Sequence, residues 1–126
     1  MEITNKEFAI VFELLHGYLK ATYTSESASV EVFKQILTEV AVTAKADKVE
    51  RVMIVSNNPE KLNQVDMFRV ITECVPFYFG IKVAFYDLYP THVEVHKFGE
   101  MIAQNRGIDA KYFIELELAE EWVQEN

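Results

Sequence analysis

Two histidines and a glutamate recur at four-residue intervals late in the chain. His92, His96 and Glu100 would share one helix face, where imidazole and carboxylate groups can bind zinc or a similar ion. The segment His-Val-Glu-Val-His is not the zinc-protease pattern, because its glutamate stands at another position. The three residues also lie beside an apolar stripe, where polar side chains are ordinary. We therefore expect no metal site.

Other residue types that could do chemistry lack the neighbours they need. Cys74 is the only cysteine, so no internal disulfide can form, which is typical of a reducing cytosol. It lies in an apolar run without a second cysteine nearby, so we expect a buried thiol and not a nucleophile. The serine-nucleophile and glycine-rich phosphate-binding motifs are absent. The sequence predicts no catalytic residue and no cofactor, and we expect a protein that is not an enzyme.

Composition and charge restrict the partners. The chain has 126 residues, half of them apolar, which is enough for one domain with its own core. Its formal net charge of −8 repels phosphate backbones and anionic lipid surfaces, so we expect no nucleic-acid partner and no stable membrane insertion. The first residues do not resemble a signal peptide, and we expect a cytoplasmic location.

The first half of the chain changes from strand to helix periodicity. Apolar residues alternate over Phe8–Leu15 and again over Tyr18–Thr24, with a His16-Gly17 turn between, which predicts an antiparallel hairpin. Helical spacing then predicts a first helix over Val30–Asp47, preceded by serines that can cap it.

The second half predicts short buried strands that alternate with helices. The predicted strands are Val52–Val55, Ile81–Tyr86 and about Ala110–Glu115. Between them we expect a helix that Asn63 caps and Pro76 ends, and another that starts with a Thr91–Glu94 capping box and stops at Gly107. A last helix is expected over about Leu116–Gln124, with Trp122 at least partly buried.

These elements predict an α/β fold. The order is β-β-α-β-α-β-α-β-α, and helical crossovers between short strands favour parallel pairing. We expect a single mixed, mostly parallel sheet over residues 1–126, with an N-terminal β-hairpin and about four helices.

Polar residues follow two of the predicted parallel strands. Open α/β sheets bind ligands beyond the carboxyl ends of their strands, so these residues could orient a small polar ligand. Such residues are also ordinary turn formers, and this plainer explanation is the one we favour. The candidate ligand-binding residues are Asn57, Asn58, Asp87 and Tyr89.

The second helix and the segment after it carry more apolar residues than one sheet face can cover. A stripe that wraps a helix buries a second surface, which could belong to a twin subunit, another protein or an apolar ligand, or the helix could be fully covered within its own chain. We expect a homodimer. The candidate interface residues are Met67, Val70, Cys74, Phe77, Tyr78 and Phe79.

One motif near the end of the chain resembles a known family. Phe98, Glu100 and Ala103, then Asn105-Arg106-Gly107, then Ala119-Glu120-Glu121-Trp122 are similar to a pattern in the STAS superfamily. More narrowly, the chain resembles the small bacterial stand-alone proteins called SpoIIAA-like or STAS/Sec14-like, over nearly its whole length.

The resemblance implies a fold and a type of function. It implies a STAS-like domain that works as a non-enzymatic regulatory or protein-interaction module. The likeness to Sec14-type domains implies an alternative, a binding protein for a small apolar or lipid-like ligand. The anti-sigma-factor antagonists of this superfamily carry a phosphorylated serine at the start of their second helix. Leu62-Asn63-Gln64 occupies that position here, and Ser56 lies too early, so the phosphorylation switch is not expected.

Overall fold

The strands of the sheet follow one another in chain order. A computed structural model describes residues 1–125, and its six strands lie in the order β1 to β6. The strands are β1 Glu2–Thr4, β2 Phe8–Leu15, β3 Tyr18–Ser25, β4 Arg51–Asn57, β5 Lys82–Asp87 and β6 Asp109–Phe113. The helices are α1 Val30–Ala46, α2 Gln64–Cys74, α3 Val93–Asn105 and α4 Leu116–Gln124, with 3₁₀ turns at Val75–Phe77 and Pro90–His92. The α/β fold class is confirmed.

The order of the strands in the sheet decides on which face of the sheet the helices lie. Strands β1 to β3 pair antiparallel, and β3 to β6 pair parallel, with one helix between each parallel pair. Crossovers of this kind are almost always right-handed. Because the sheet grows in one direction only, such crossovers place α1, α2 and α3 on the same face. The predicted parallel pairing of Val52–Val55 with Ile81–Tyr86 is confirmed.

Two apolar cores lie on the two faces of the sheet. The larger core joins α1, α2 and α3 to the sheet through fully buried residues such as Ile10, Val40 and Ile54. The smaller core joins α4 to the other face through Met53, Ala119 and neighbouring apolar residues. The second core exists because α4 follows the last strand and folds back over it.

The predicted capping residues start α1 and α2, and the predicted glycine ends α3. The Ser29 hydroxyl accepts a hydrogen bond from the amide of Val32 at 3.1 Å, which caps α1. The Asn63 side chain caps α2 in the same way, at 2.8 Å from the Asp66 amide. At the end of α3, Gly107 adopts a φ of 85°, and the amide of Ile108 donates to Ala103 in a Schellman stop.

Two sequence-based predictions were wrong. The short strand β1 was not predicted, because three residues are too few to show a period of two. The capping box at Thr91 does not form, since Pro90 starts a 3₁₀ turn that places Thr91 inside the turn and makes His92 the N-terminal residue flanking α3. No side chain caps α3 at that residue.

Length and hydropathy of the helices bear on membrane insertion. Within residues 1–125, none of the helices combines enough length with enough apolar character to cross a bilayer.

The C-terminal helix gives a direct test of the packing on the second face. Trp122 is half-buried, 5.6 Å from the ring of Phe113 and under the Lys82 ammonium at 4.4 Å, so the prediction of partial burial is confirmed. Trp122→Ala should lower the free energy of unfolding by about 2 kcal/mol, because contacts with β5 and β6 are lost. Chemical denaturation measures this loss. Leu118→Ala on the same helix is the control, since Leu118 is 46% exposed, and a similar loss in both variants would mean that Trp122 is not docked.

Candidate functional site

A row of buried polar side chains crosses the carboxyl ends of three neighbouring strands. Tyr23 of β3 pairs with Ser56 of β4, and Ser56 pairs with Asp87 of β5. The three residues share a register, so their side chains lie on the same face of the sheet, which is the face that α1, α2 and α3 cover. All three are buried, with Ser56 2% and Asp87 3% exposed. Buried polar groups need hydrogen-bond partners, and Asp87 has three of them.

Asp87 joins the end of β5 to the next two elements. One carboxylate oxygen, Oδ2, lies 2.9 Å from His92 Nδ1 and 2.5 Å from His96 Nε2, and Oδ1 accepts the amide of Tyr89 at 2.7 Å. His92 ends the 3₁₀ turn and His96 lies one helical turn later in α3, which brings both rings to the same carboxylate. The exposed fractions of the two histidine side chains are 6% and 9%.

These hydrogen bonds keep Asp87 ionised. Burial alone would raise the pKa of the Asp87 carboxyl, but hydrogen bonds from His96, the Tyr89 amide and His92 outweigh burial, and the pKa lies below its ordinary value. Burial raises the pKa of the Tyr23 phenol, and the nearby Asp87 charge raises it further. Tyr23 is therefore a neutral hydroxyl beside an ionised carboxylate.

Aromatic rings hold the two imidazoles in place. Tyr89 stacks on His92 with 5.4 Å between ring centroids and an angle of 22°. Tyr112 stacks on His96 at 5.1 Å and 29°, and Phe85 lies 4.7 Å from the same ring. Stacking of this kind restricts ring rotation, so the nitrogen atoms that face Asp87 are held in that direction.

The cluster in the structure contains Asp87 where the sequence predicted Glu100. The Glu100 carboxylate accepts the Tyr112 amide at 2.6 Å, so it supports β6 instead of joining the histidines. Asp87 takes its place: the carboxylate and the two imidazoles each offer a metal-binding atom, and these atoms lie within 4.8 Å of one another.

The predicted ligand-binding residues separate into two groups. Asp87 and Tyr89 belong to the cluster just described. The buried Asn58 side chain donates to the Ser25 hydroxyl at 2.8 Å and to the Ser27 carbonyl at 3.1 Å, so it fixes the loop after β4. Asn57 is half-buried at the end of β4, and its alternation with Ser56 directs it to the other face of the sheet.

A small polar cavity lies beside the cluster. Its volume is about 30 Å³, and Tyr23, Ser56, Asn58 and the Asp87–His92–His96 cluster are among the residues that line it. A water molecule needs roughly 10–15 Å³ of such space, so the cavity can hold about two or three water molecules or a small ion, but not an organic molecule.

A larger, apolar cavity shares His96 with the polar one. It measures about 90 Å³ and lies between the three helices and the sheet, with Phe33, Met67, Cys74, Val83 and Ala103 among its lining residues. Tyr112 also lines it, and the Tyr112 hydroxyl is buried with no hydrogen-bond partner within residues 1–125. An unpaired buried hydroxyl is unfavourable by about 1–3 kcal/mol, which makes it a position where a ligand group could bind.

The cysteine in this cavity is not a nucleophile. Burial raises the pKa of the Cys74 thiol to about 11, so the thiolate is scarce at neutral pH. The thiol lies 3.9 Å from the Lys34 carbonyl and serves as a small apolar side chain.

Most of the predicted interface residues lie inside the chain. Met67, Val70, Cys74 and Tyr78 are each at most 6% exposed, whereas Phe77 is 37% and Phe79 is 59% exposed. Four of the six are covered within the chain because α2 packs between α1 and α3, whereas Val65 and Phe68 of the same helix stay exposed. Gly99 of α3 allows this close packing, since a Cβ atom there would lie 3.1 Å from the Met67 sulfur.

Comparisons with known proteins leave the family open. No protein-family model matches the chain, and a search of curated proteins returns no match. The similarity to the STAS superfamily therefore stays a hypothesis based on the motif and on the order of the elements.

The carboxylate of Asp87 gives a pH-dependent test of the site. Asp87→Asn should lower the free energy of unfolding at neutral pH by about 2–3 kcal/mol, because hydrogen bonds to a charged acceptor are weakened. Since the folded pKa is lowered, this stabilisation is present above the ordinary aspartate pKa of about 4 and is lost as the pH falls through the folded value. Urea denaturation between about pH 3 and pH 7 should show the wild-type advantage shrinking below about pH 4.

The exposed Asp109 provides the matched control. Asp109→Asn should change stability by less than about 0.5 kcal/mol at any of these pH values. An Asp87→Asn protein as stable as the wild type at neutral pH would contradict the role given to the carboxylate.

Proposed function

We propose that this protein is a non-enzymatic binding module that takes up a small, mostly apolar molecule between its three helices and the sheet. The observation that carries the proposal is the apolar cavity of about 90 Å³, which is lined in part by Tyr112, a residue with a buried, unpaired hydroxyl. Ligand sites in proteins are typically apolar pockets with a few convergent polar groups, and this cavity has that composition.

The size and lining of the cavity restrict the ligand. An engineered cavity of about 150 Å³ in another protein holds benzene, so a cavity of about 90 Å³ suits a compact molecule and not a whole lipid chain. Its charged lining residues are Glu100 and the exposed Lys111. A ligand with a short apolar body and one group that hydrogen-bonds to Tyr112 fits this arrangement. Of the lipid-like ligands implied by the sequence, the cavity can therefore take only short-chain compounds.

The regulatory role fits the same observation. A ligand that fills a cavity shared by α1, α2 and α3 stabilises the packing of these helices on the sheet. A change in that packing can alter the surface that the helices present to a partner. We propose on this basis that the protein works as an interaction module of the STAS-like type, with ligand occupancy as the signal.

Binding of small probe molecules tests this proposal. Propanol, butanol and butanoate, which are smaller than benzene, should compete for one site in ligand-detected NMR. Ala103→Leu should weaken binding by at least about tenfold, because the larger side chain fills the cavity and the filled volume is lost to the ligand. Tyr112→Phe should weaken the probes that carry a polar group and leave the folded protein at least as stable, since it removes an unpaired hydroxyl.

The control for the tyrosine variant lies on the next strand. Tyr86→Phe removes a hydroxyl from the opposite face of the sheet and should leave probe binding unchanged. If no probe binds, or if Ala103→Leu binds as well as the wild type, the cavity is not a ligand site. Native mass spectrometry of protein purified from its own host would report a retained ligand.

A second candidate function, self-association, is favoured by the exposed apolar residues around α2. Val65 is 78% and Phe68 45% exposed, and Phe77 and Phe79 follow at the far end of the helix. Exposed apolar residues in one region are typical of surfaces that contact another protein. We propose that the protein forms a homodimer whose contact surface includes Val65, Phe68, Phe77 and Phe79.

Sedimentation velocity tests the homodimer. Phe77→Asp with Phe79→Asp should convert a dimer to a monomer, because both charges would be buried at the contact. Charged substitutions at Met67 and Val70 are unsuitable, since these residues are buried in the chain and the variants would unfold. Leu14→Asp, on an exposed position of β2, is the control and should leave the dimer intact. A wild-type chain that sediments as a monomer at tens of micromolar would reject self-association.

A further inference from the structure

Three metal-binding atoms converge at the end of β5. His92 Nδ1, His96 Nε2 and an Asp87 carboxylate oxygen lie within 4.8 Å of one another, on three consecutive elements. Zinc–ligand bonds of about 2.0–2.2 Å would hold such atoms roughly 3.3 Å apart. The imidazoles, now 2.9 and 2.5 Å from Asp87 Oδ2, need to move back by less than about 1 Å to admit an ion.

The donor set matches a known class of metal site. Two imidazoles and one carboxylate form the protein ligands of several catalytic zinc sites and of non-haem iron(II) sites, where one or more coordination positions stay open. A divalent ion would also compensate the buried Asp87 carboxylate directly, since buried charges in proteins are paired or bind metal ions.

The surroundings supply support and an open side. The Tyr89 amide binds the second carboxylate oxygen, and Tyr89 and Tyr112 stack on the two imidazoles, so the ligands are oriented by their neighbours. The polar cavity of about 30 Å³ lies against the same three residues, with Ser56 and Asn58 in its wall. It has room for an ion and a coordinated water molecule.

We propose that Asp87, His92 and His96 bind one divalent transition-metal ion, zinc being the best fit, with its open coordination position facing the polar cavity. This proposal reverses the expectation of no metal site, because that expectation considered Glu100 as the third ligand and not Asp87. It does not rest on the apolar ligand proposed above, since it is argued from the three metal-binding atoms and the polar cavity, although His96 lines both cavities.

Titration of chelator-treated, dialysed protein with zinc chloride tests the site. Isothermal titration calorimetry should show one ion per chain. His92→Ala, His96→Ala and Asp87→Asn should each weaken binding by at least about 100-fold, because loss of a direct ligand exceeds the 10–100-fold effect of losing a supporting residue. His16→Ala is the matched control, since His16 is the remaining histidine of the chain and lies exposed in the β2–β3 turn. It should leave the affinity unchanged.

A measurement on the unaltered chain guards against variants that fail to fold. Cobalt(II) added to the wild-type protein should give the strong visible absorption of a four-coordinate site, and zinc should abolish it by displacement. Circular dichroism without metal identifies any variant that has lost its fold. The proposal is overturned if zinc does not saturate at one ion per chain, if folded cluster variants bind as well as the wild type, or if His16→Ala removes binding.

Discussion

The carboxylate of Asp87 holds together the elements at the carboxyl ends of the parallel strands, and the rest of that end of the molecule depends on it. It ends β5, holds the amide of the following turn and binds both histidines at the start of α3. Because no side chain caps α3 at His92, Asp87 fixes the beginning of that helix from outside. The position of α3 in turn shapes both cavities, since His96 lines each of them.

Most of the fold could be predicted because its signals are local. Alternation gave the hairpin, helical spacing gave α1, and capping residues such as Asn63 and Gly107 set helix ends to within a few residues. The strand β1 and the turn at Pro90 escaped prediction, since one is too short for a period and the other depends on a proline that overrides a capping pattern.

The site was harder to predict because it depends on register between strands. Tyr23, Ser56 and Asp87 are far apart in sequence, and only the pairing of β3, β4 and β5 aligns them. Asp87 stands five residues before His92, a spacing that could have indicated the cluster once a turn between strand and helix was assumed. The unpaired Tyr112 hydroxyl had no sequence signal, since its isolation follows from the packing of three helices.

The chain-order pairing of the strands has a consequence for how the protein is made. Each strand from β2 to β6 pairs with the strand before it, so each of these segments meets an existing strand edge as it leaves the ribosome. Each addition closes one hairpin turn or one helical crossover and no longer connection, which limits the loop-closure entropy of each step. The open edge therefore moves along the sheet during synthesis until β6 arrives, and α4 then folds back over the second face.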